Sequence, residues 1–255
     1  MRFATDSPVR ITVLGTGGTG GHLAPNLYRL AHSLDRPVVL TLVDGDLVER
    51  KNLVRQNFTQ SDVGKNKARA LAERYSSAFG MEAHYVPEYV ECAQKLAELT
   101  TPPKYTDFDR RGVPVKKDGL PILLGCVDNN KSRRVCHEVF TGAGNMVYID
   151  SGNGFLGGQV VCGVRRGSRT LSKPAAALYP EMLDDTDRFP SELSCAEAAD
   201  SSPQSIAANI TAAATIMSFL YNILVAGSLE TCAATFSTRK IATRPTAAKP
   251  CRGKN

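Results

Sequence analysis

Two hydrophobic periods alternate along the N-terminal part of the chain. Val9, Ile11, Val13 and Leu14 form a strand-like run, Leu23, Leu27, Leu30 and Ala31 recur at helical spacing, and the apolar run Val38 to Val43 reads as a buried parallel strand ending at Asp44. From Ser61 to Gly80, the positions Ala68, Leu71, Ala72, Tyr75 and Phe79 share one helical face, with Gly80 as the stop. Strands are further predicted over Tyr85 to Val90, Ile122 to Val127, Met146 to Ile149 and Gln159 to Val164, with helices over Cys92 to Leu99 and Ser132 to Phe140. The Pro-, Lys- and Asp-rich stretch Thr101 to Gly119 reads as an inserted loop, and Gly167 to Pro203 shows little periodicity. Strand and helix alternate, which predicts a doubly wound α/β domain. No internal repeat or second domain is apparent.

One later segment is long enough to cross a membrane. Ser201 to Ser228 carries no charge and includes Ile206, Ile216, Met217, Phe219, Leu220, Ile223, Leu224 and Val225. Asn209, Thr211, Thr215, Ser218 and Asn222 interrupt it, so a buried or dimer-packed helix is expected instead. Met1 to Arg10 lacks the apolar core of a signal peptide. The seven cysteines (Cys92, Cys126, Cys136, Cys162, Cys195, Cys232 and Cys251) are odd in number and contain no C-x-x-C pair. Free thiols in a reducing cytoplasm are therefore expected, with neither a disulfide framework nor a zinc ribbon.

Composition changes the picture only at the C-terminus. The 255 residues are 42% hydrophobic and 22% charged, ordinary globular values that exclude collagen-like and disordered classes. Thirty-one bases against 25 acids give +6, but Arg239, Lys240, Arg244, Lys249, Arg252 and Lys254 follow the last acid, Glu230, and leave a neutral body. A nucleic-acid-binding face on that body is disfavoured. Residues 239–255 are expected to be a basic solvated tail outside a domain spanning 1–238.

Three clusters carry candidate chemistry. Gly15, Gly17, Gly18 and Gly20 lie in G-T-G-G-T-G between a strand and a helix, a context in which backbone amides approach phosphates, while Asp44 beyond the next strand suits ribose hydroxyls. Behind it, Asn52, Arg55, Gln56, Lys65 and Lys67 supply cations and amides that a dehydrogenase does not need and a cleaved triphosphate does. The alternative for Arg55 and Lys67 is ordinary surface charge. Asp128 ends a buried strand in C-V-D-N-N-K-S-R, where it suits Mg²⁺ beside phosphates or, alternatively, the N-cap of the Ser132 helix. Asn129 is placed to bond a base or loop, and Arg133 to anchor the helix.

These stretches together resemble the ThiF/MoeB-like activating enzymes, the family of the ubiquitin-activating adenylation domains. The matching pieces are G-T-G-G-T-G, D-G-D-L-V-x3-N-L-x-R-Q from Asp44 to Gln56, D-V-G-K-N-K-A from Asp62 to Ala68, C-V-D-N-x3-R from Cys126 to Arg133, and D-S-G followed by G-Q-V between Asp150 and Val160. The resemblance implies a Rossmann-like, doubly wound, mostly parallel sheet with an antiparallel extension, and a crossover segment at 167–203. It implies Asp44 for ATP ribose, Asn52, Arg55 and Lys67 for the triphosphate, and Asp128 for Mg²⁺. Expected activity is adenylation of the C-terminal glycine of a ubiquitin-like or sulfur-carrier protein by a homodimer.

Cys195 is placed like the family's reactive cysteine, open to a thioester role or to mere packing, since no base adjoins it. The family's paired C-x-x-C zinc site is missing, so no zinc is expected. The compact form resembles bacterial stand-alone members of the type found in PRTRC clusters. Rival readings are activation of a small-molecule or tRNA-borne carboxylate, a nicotinamide-dependent oxidoreductase, and a silent adaptor.

Overall fold

The computed structural model describes residues 1–183, 187–192 and 204–246. Strand β1 (Val9–Leu14) leads into helix α1 (Gly18–Ser33), β2 (Val38–Val43), α2 (Lys67–Phe79), β3 (His84–Val86) and α3 (Ala93–Leu99). A hairpin, β4 (Lys104–Phe108) and β5 (Pro114–Asp118), precedes β6 (Leu120–Gly125), α4 (Asn130–Gly142), β7 (Met146–Asn153), β8 (Gly157–Arg166) and β9 (Arg169–Ser172). The short α5 (Ala175–Leu178), the long α6 (Ile206–Leu224), β10 (Ala233–Ser237) and β11 (Ala242–Thr246) follow.

Among the described residues, nine strands form one sheet, ordered β11-β10-β8-β7-β6-β1-β2-β3, with β9 also paired to β8. Strands β3, β2, β1, β6 and β7 run parallel, and β8, β10 and β11 extend the sheet antiparallel. Alternation along each strand builds two cores. Ile11, Val13, Ile122, Leu124, Val147 and Ile149 face α1 and α6, whereas Leu14, Leu123, Tyr148 and Val43 face α3 and α4 around Phe140 and Leu96. The sheet is thus covered on both faces, as near-continuous apolar parallel strands require.

Four expectations change. The stretch 101–119 is not an open loop: β4 and β5 pair from Lys104 with Asp118 to Phe108 with Pro114. Its residues are largely exposed, and polar cross-strand pairs such as Lys117 with Asp107 (2.5 Å) align it, so no hydrophobic period announces it. The helix read from Ser61 starts at Lys67, because Asn66 caps it by accepting from Arg69 N–H at 2.9 Å; it stops at Gly80 as expected. The third parallel strand is only His84–Val86. Lastly, part of the stretch read as tail is sheet, since β11 pairs with β10 through Thr246; residues 247–255 lie outside the described residues.

Helix α6 is long and apolar enough to cross a membrane, yet about half of it is buried within the fold. Ala208, Ala212, Ile216, Leu220 and Ile223 form a stripe against the sheet and α1. Its opposite face leaves Ile206, Ile210 and Tyr221 exposed.

Candidate active site

The site lies where the parallel strands end and the connections diverge, β1 to β2 on one side and toward β6 on the other, the usual ligand crevice of open α/β sheets. Gly15 turns the chain at φ +89°, and a Cβ there would stand 2.7 Å from the Cys126 carbonyl oxygen at the end of β6. A Cβ on Gly20 would overlap the Gly15 carbonyl. Glycine is therefore required at 15 for the loop to pass the end of β6 and at 20 for α1 to close on the end of β1. Gly17, the N-cap of α1, supplies no side-chain cap, and the first turn holds no acid. The helix accordingly presents free amides and the positive end of its dipole to an anion.

Asp44 anchors the neighbouring loop. Its Oδ2 accepts from Thr16 N–H (2.6 Å) and Thr16 Oγ1 (3.0 Å), and its Oδ1 accepts from Asp46 N–H (3.0 Å). Three of roughly four carboxylate acceptor positions are thus used, which leaves room for a further donor such as a ribose hydroxyl. Burial raises its pKa, against the pull of the Lys67 ammonium. Lys67, only 7% exposed at its side chain, ion-pairs with Asp46 Oδ2 at 2.6 Å, and the Tyr89 hydroxyl donates to the same carboxylate. Although burial pushes Asp46 upward, Lys67 and Tyr89 outweigh it and hold the carboxyl below its usual range. Lys67 is thereby neither free surface charge nor unpaired.

The remaining predicted residues are distributed around this loop. Gln56 is buried, with its side-chain amide 3.6 Å from where a Gly17 Cβ would be and its Oε1 unpartnered. Asn52, also buried, accepts from Glu49 N–H at 2.9 Å and thereby caps a short 3-10 turn at Arg50–Val54. Arg55 donates to Gln204 Oε1 at 3.0 Å, just before α6, and its carbonyl lies 3.0 Å from His22 Nε2. Lys65 is exposed.

Asp128 stands exposed just beyond β6. The N-cap of α4 is Asn129, which accepts from Ser132 N–H at 2.7 Å. The capping alternative for Asp128 is thus ruled out, and Asn129's Oδ1 is committed to the helix rather than open to a base. Arg133 does more than anchor the helix: it donates to the Val127 carbonyl (2.8 Å) and the Ser151 carbonyl (3.2 Å), clamping the turn that bears Asp128. Behind it, Tyr148 donates to Asp150 Oδ2 at 2.6 Å, and burial raises the Asp150 pKa although Arg133 opposes. Among the described residues, no group of three His, Cys, Asp or Glu is placed to hold a metal. A lone carboxylate still suits Mg²⁺, which keeps several waters and takes substrate phosphate oxygens as further ligands.

Cys195 lies outside the described residues. The part of the crossover at 187–192 rests on α4 beside Asp128: Asp187 accepts from Asn130 N–H at 2.5 Å, and Lys131 pairs with Glu192 at 2.8 Å.

A model of the ThiF family matches residues 7–161, well over half of the chain. The chain belongs to the ThiF family. No curated protein matches it in sequence. Among solved structures, PaaA is similar with a TM-score of 0.62 at 17% identity, over 94% of this chain and 64% of PaaA. E. coli MccB solved with ATP gives 0.62 at 16% identity, over 98% and 66% of the two chains. The microcin C7 biosynthetic enzyme MccB in complex with N-formylated MccA gives 0.65 at 16%, over 96% and 66%. The chain thus spans about two thirds of these proteins' length, and the shared architecture is the Rossmann-like α/β fold of this family.

The structure therefore gathers Gly15, Gly17, Asp44, Gln56 and the end of β6 around the glycine loop. Thr16, Asp46, Tyr89 and Gln204 complete it without having been foreseen. Thr16 and Asp46 carried a sequence signal, Thr16 inside G-T-G-G-T-G and Asp46 as the second acid of D-G-D, whereas Tyr89 and Gln204 carried none.

Proposed function

We propose that this protein is an ATP-dependent adenylyltransferase that activates the C-terminal carboxylate of a small ubiquitin-like or sulfur-carrier protein. The observation that carries the reading is the pairing of an uncapped, acid-free N-terminus of α1 with the exposed carboxylate of Asp128 at the adjoining strand end. A nicotinamide enzyme has use for the first but not for the second. Family membership supports the same class, as do MccB structures solved with ATP and with MccA.

In this reading the glycine loop and the α1 amides hold the phosphates, and Asp44 takes the ribose. Arg55 and Lys67 face the charge that develops on the bridging oxygen as pyrophosphate leaves. The partner's carboxylate attacks the α-phosphorus in line, so the protein's work is positioning and charge stabilisation. Asp128 would hold Mg²⁺, which when bound neutralises phosphate charge. The Lys67 and Asp46 pair keeps the ammonium at the loop, and Arg133 keeps Asp128 at the strand end. The exposed Ile206, Ile210 and Tyr221 of α6 fit the interface of a cytoplasmic homodimer.

Whether the acyl group moves on to Cys195 is separable: Cys195→Ala then keeps ATP–pyrophosphate exchange and loses a partner adduct sensitive to reducing agent. The test of the reading is ATP–pyrophosphate exchange with candidate small proteins ending in Gly-Gly. Exchange that depends on both protein and Mg²⁺ supports it; exchange absent with every candidate while NAD⁺ binds would favour the oxidoreductase.

A further inference from the structure

Helix α6 carries a polar side chain that its own packing does not explain. Asn209 is fully buried, on the apolar stripe beside Ala208 and Ala212. Its Oδ1 accepts from Asn153 Nδ2 at 2.8 Å, and Asn153 Oδ1 in turn accepts from Thr19 Oγ1 at 3.0 Å. This relay joins the first turn of α6 to the end of β7 and to the first turn of α1. The Asn209 Nδ2 group has no hydrogen-bond partner and is pressed against the glycine loop, where a Cβ on Gly18 would overlap it. Gly18 is therefore glycine for the sake of Asn209 as well as of any phosphate.

A buried amide donor without an acceptor is destabilising, and an alanine like its neighbours would avoid that cost. The asparagine nonetheless stands at the glycine loop, and two further contacts fix the start of α6 to the same end of the site. Gln204 accepts from Arg55 at 3.0 Å, and Ser205 Oγ donates to the Phe155 carbonyl at 2.6 Å.

We propose that Asn209 is a positioning residue of the nucleotide site: through Gly18 and the Asn153 and Thr19 relay it fixes the glycine loop in its phosphate-binding form and ties that form to the start of α6. The proposal rests on the adenylation reading above. Because it acts through the loop, its loss weakens nucleotide binding without removing any group that touches the reacting atoms.

The experiment measures the affinity of a non-hydrolysable ATP analogue with Mg²⁺ by calorimetry, and thermal stability in parallel, for Thr19→Val, Asn209→Ala and the double variant. Each single variant is expected to weaken binding about 10-fold, the scale of one lost hydrogen bond in the relay that holds the loop, and the double variant no more than the stronger single one. If Asn209→Ala does not fold, Thr19→Val and Asn153→Ser carry the same comparison. Variants that melt earlier but bind the analogue as tightly as wild type overturn the assignment of Asn209 alone. Wild-type protein that binds no ATP analogue overturns both this proposal and the adenylation reading.

Discussion

Single residues decide the chemistry, and their roles separate by exposure. Asp128 is exposed and takes no part in the α4 cap, so Asp128→Ala is expected to leave the melting temperature within about 1–2 °C of wild type while abolishing pyrophosphate exchange. Undiminished exchange in the folded variant removes Asp128 from the metal role. Lys67 is the opposite case, buried and paired with Asp46. Lys67→Ala removes the ion pair and leaves Asp46 with the Tyr89 hydroxyl as its side-chain donor, and it is expected to cost stability on the order of 1 kcal/mol as well as about 10²-fold in turnover. Chemical denaturation together with exchange rates checks both; a rate within a few-fold of wild type reduces Lys67 to a structural ion pair. The sequence made these residues legible because each sits in a short run whose context, a strand followed by a turn, is local. It did not disclose that Asn129 rather than Asp128 caps α4, since both residue types cap well and only backbone geometry chooses between them.

At the scale of elements, the loop between β2 and α2 is held by an ion pair as well as by the apolar anchors Val48 and Phe58. Asp62 is 4% exposed, accepts from Thr59 N–H at 2.7 Å and pairs with Arg74 of α2. Burial raises its pKa, but the Arg74 and Thr59 bonds prevail and hold it below its ordinary value. A carboxyl depressed in the folded state stabilises fully above its unfolded pKa of about 3.9, and that contribution disappears as pH falls through the lower folded value. Asp62→Asn is therefore expected to lose about 2 kcal/mol at neutral pH and to unfold along a shallower acid limb below about pH 4. Denaturation midpoints measured from pH 7 to pH 2 test this, and parallel curves for the two proteins contradict it. Periodicity revealed the elements with a buried face, β1, α1, β2, α4 and α6. It missed the β4 and β5 hairpin, which has none, and it extended α2 backward across a 3-10 turn at Gln60–Asp62.

For the whole molecule, the parallel half of the sheet bears the glycine loop, and α6 lies beside α1 over β7, β8 and β10 with the partly exposed apolar face described above. That face predicts a dimer at micromolar concentration, and Ile210→Lys with Tyr221→Lys is expected to convert it to a folded monomer. Light scattering that finds wild type already monomeric contradicts the interface. Long-range contacts such as Arg55 with Gln204 and Asn153 with Asn209 join residues more than fifty positions apart. No periodicity or motif encodes such pairs, and so the sequence could not place the start of α6 beside the glycine loop. The central claim is transfer of AMP to a carboxylate, and it is tested most directly by following the α-phosphorus. Incubation with ATP labelled at that position, Mg²⁺ and a partner ending in Gly-Gly should place label on the partner as an acyl-adenylate, which added pyrophosphate removes. Label recovered only as free ADP, with none on the partner at any pyrophosphate concentration, would contradict the account.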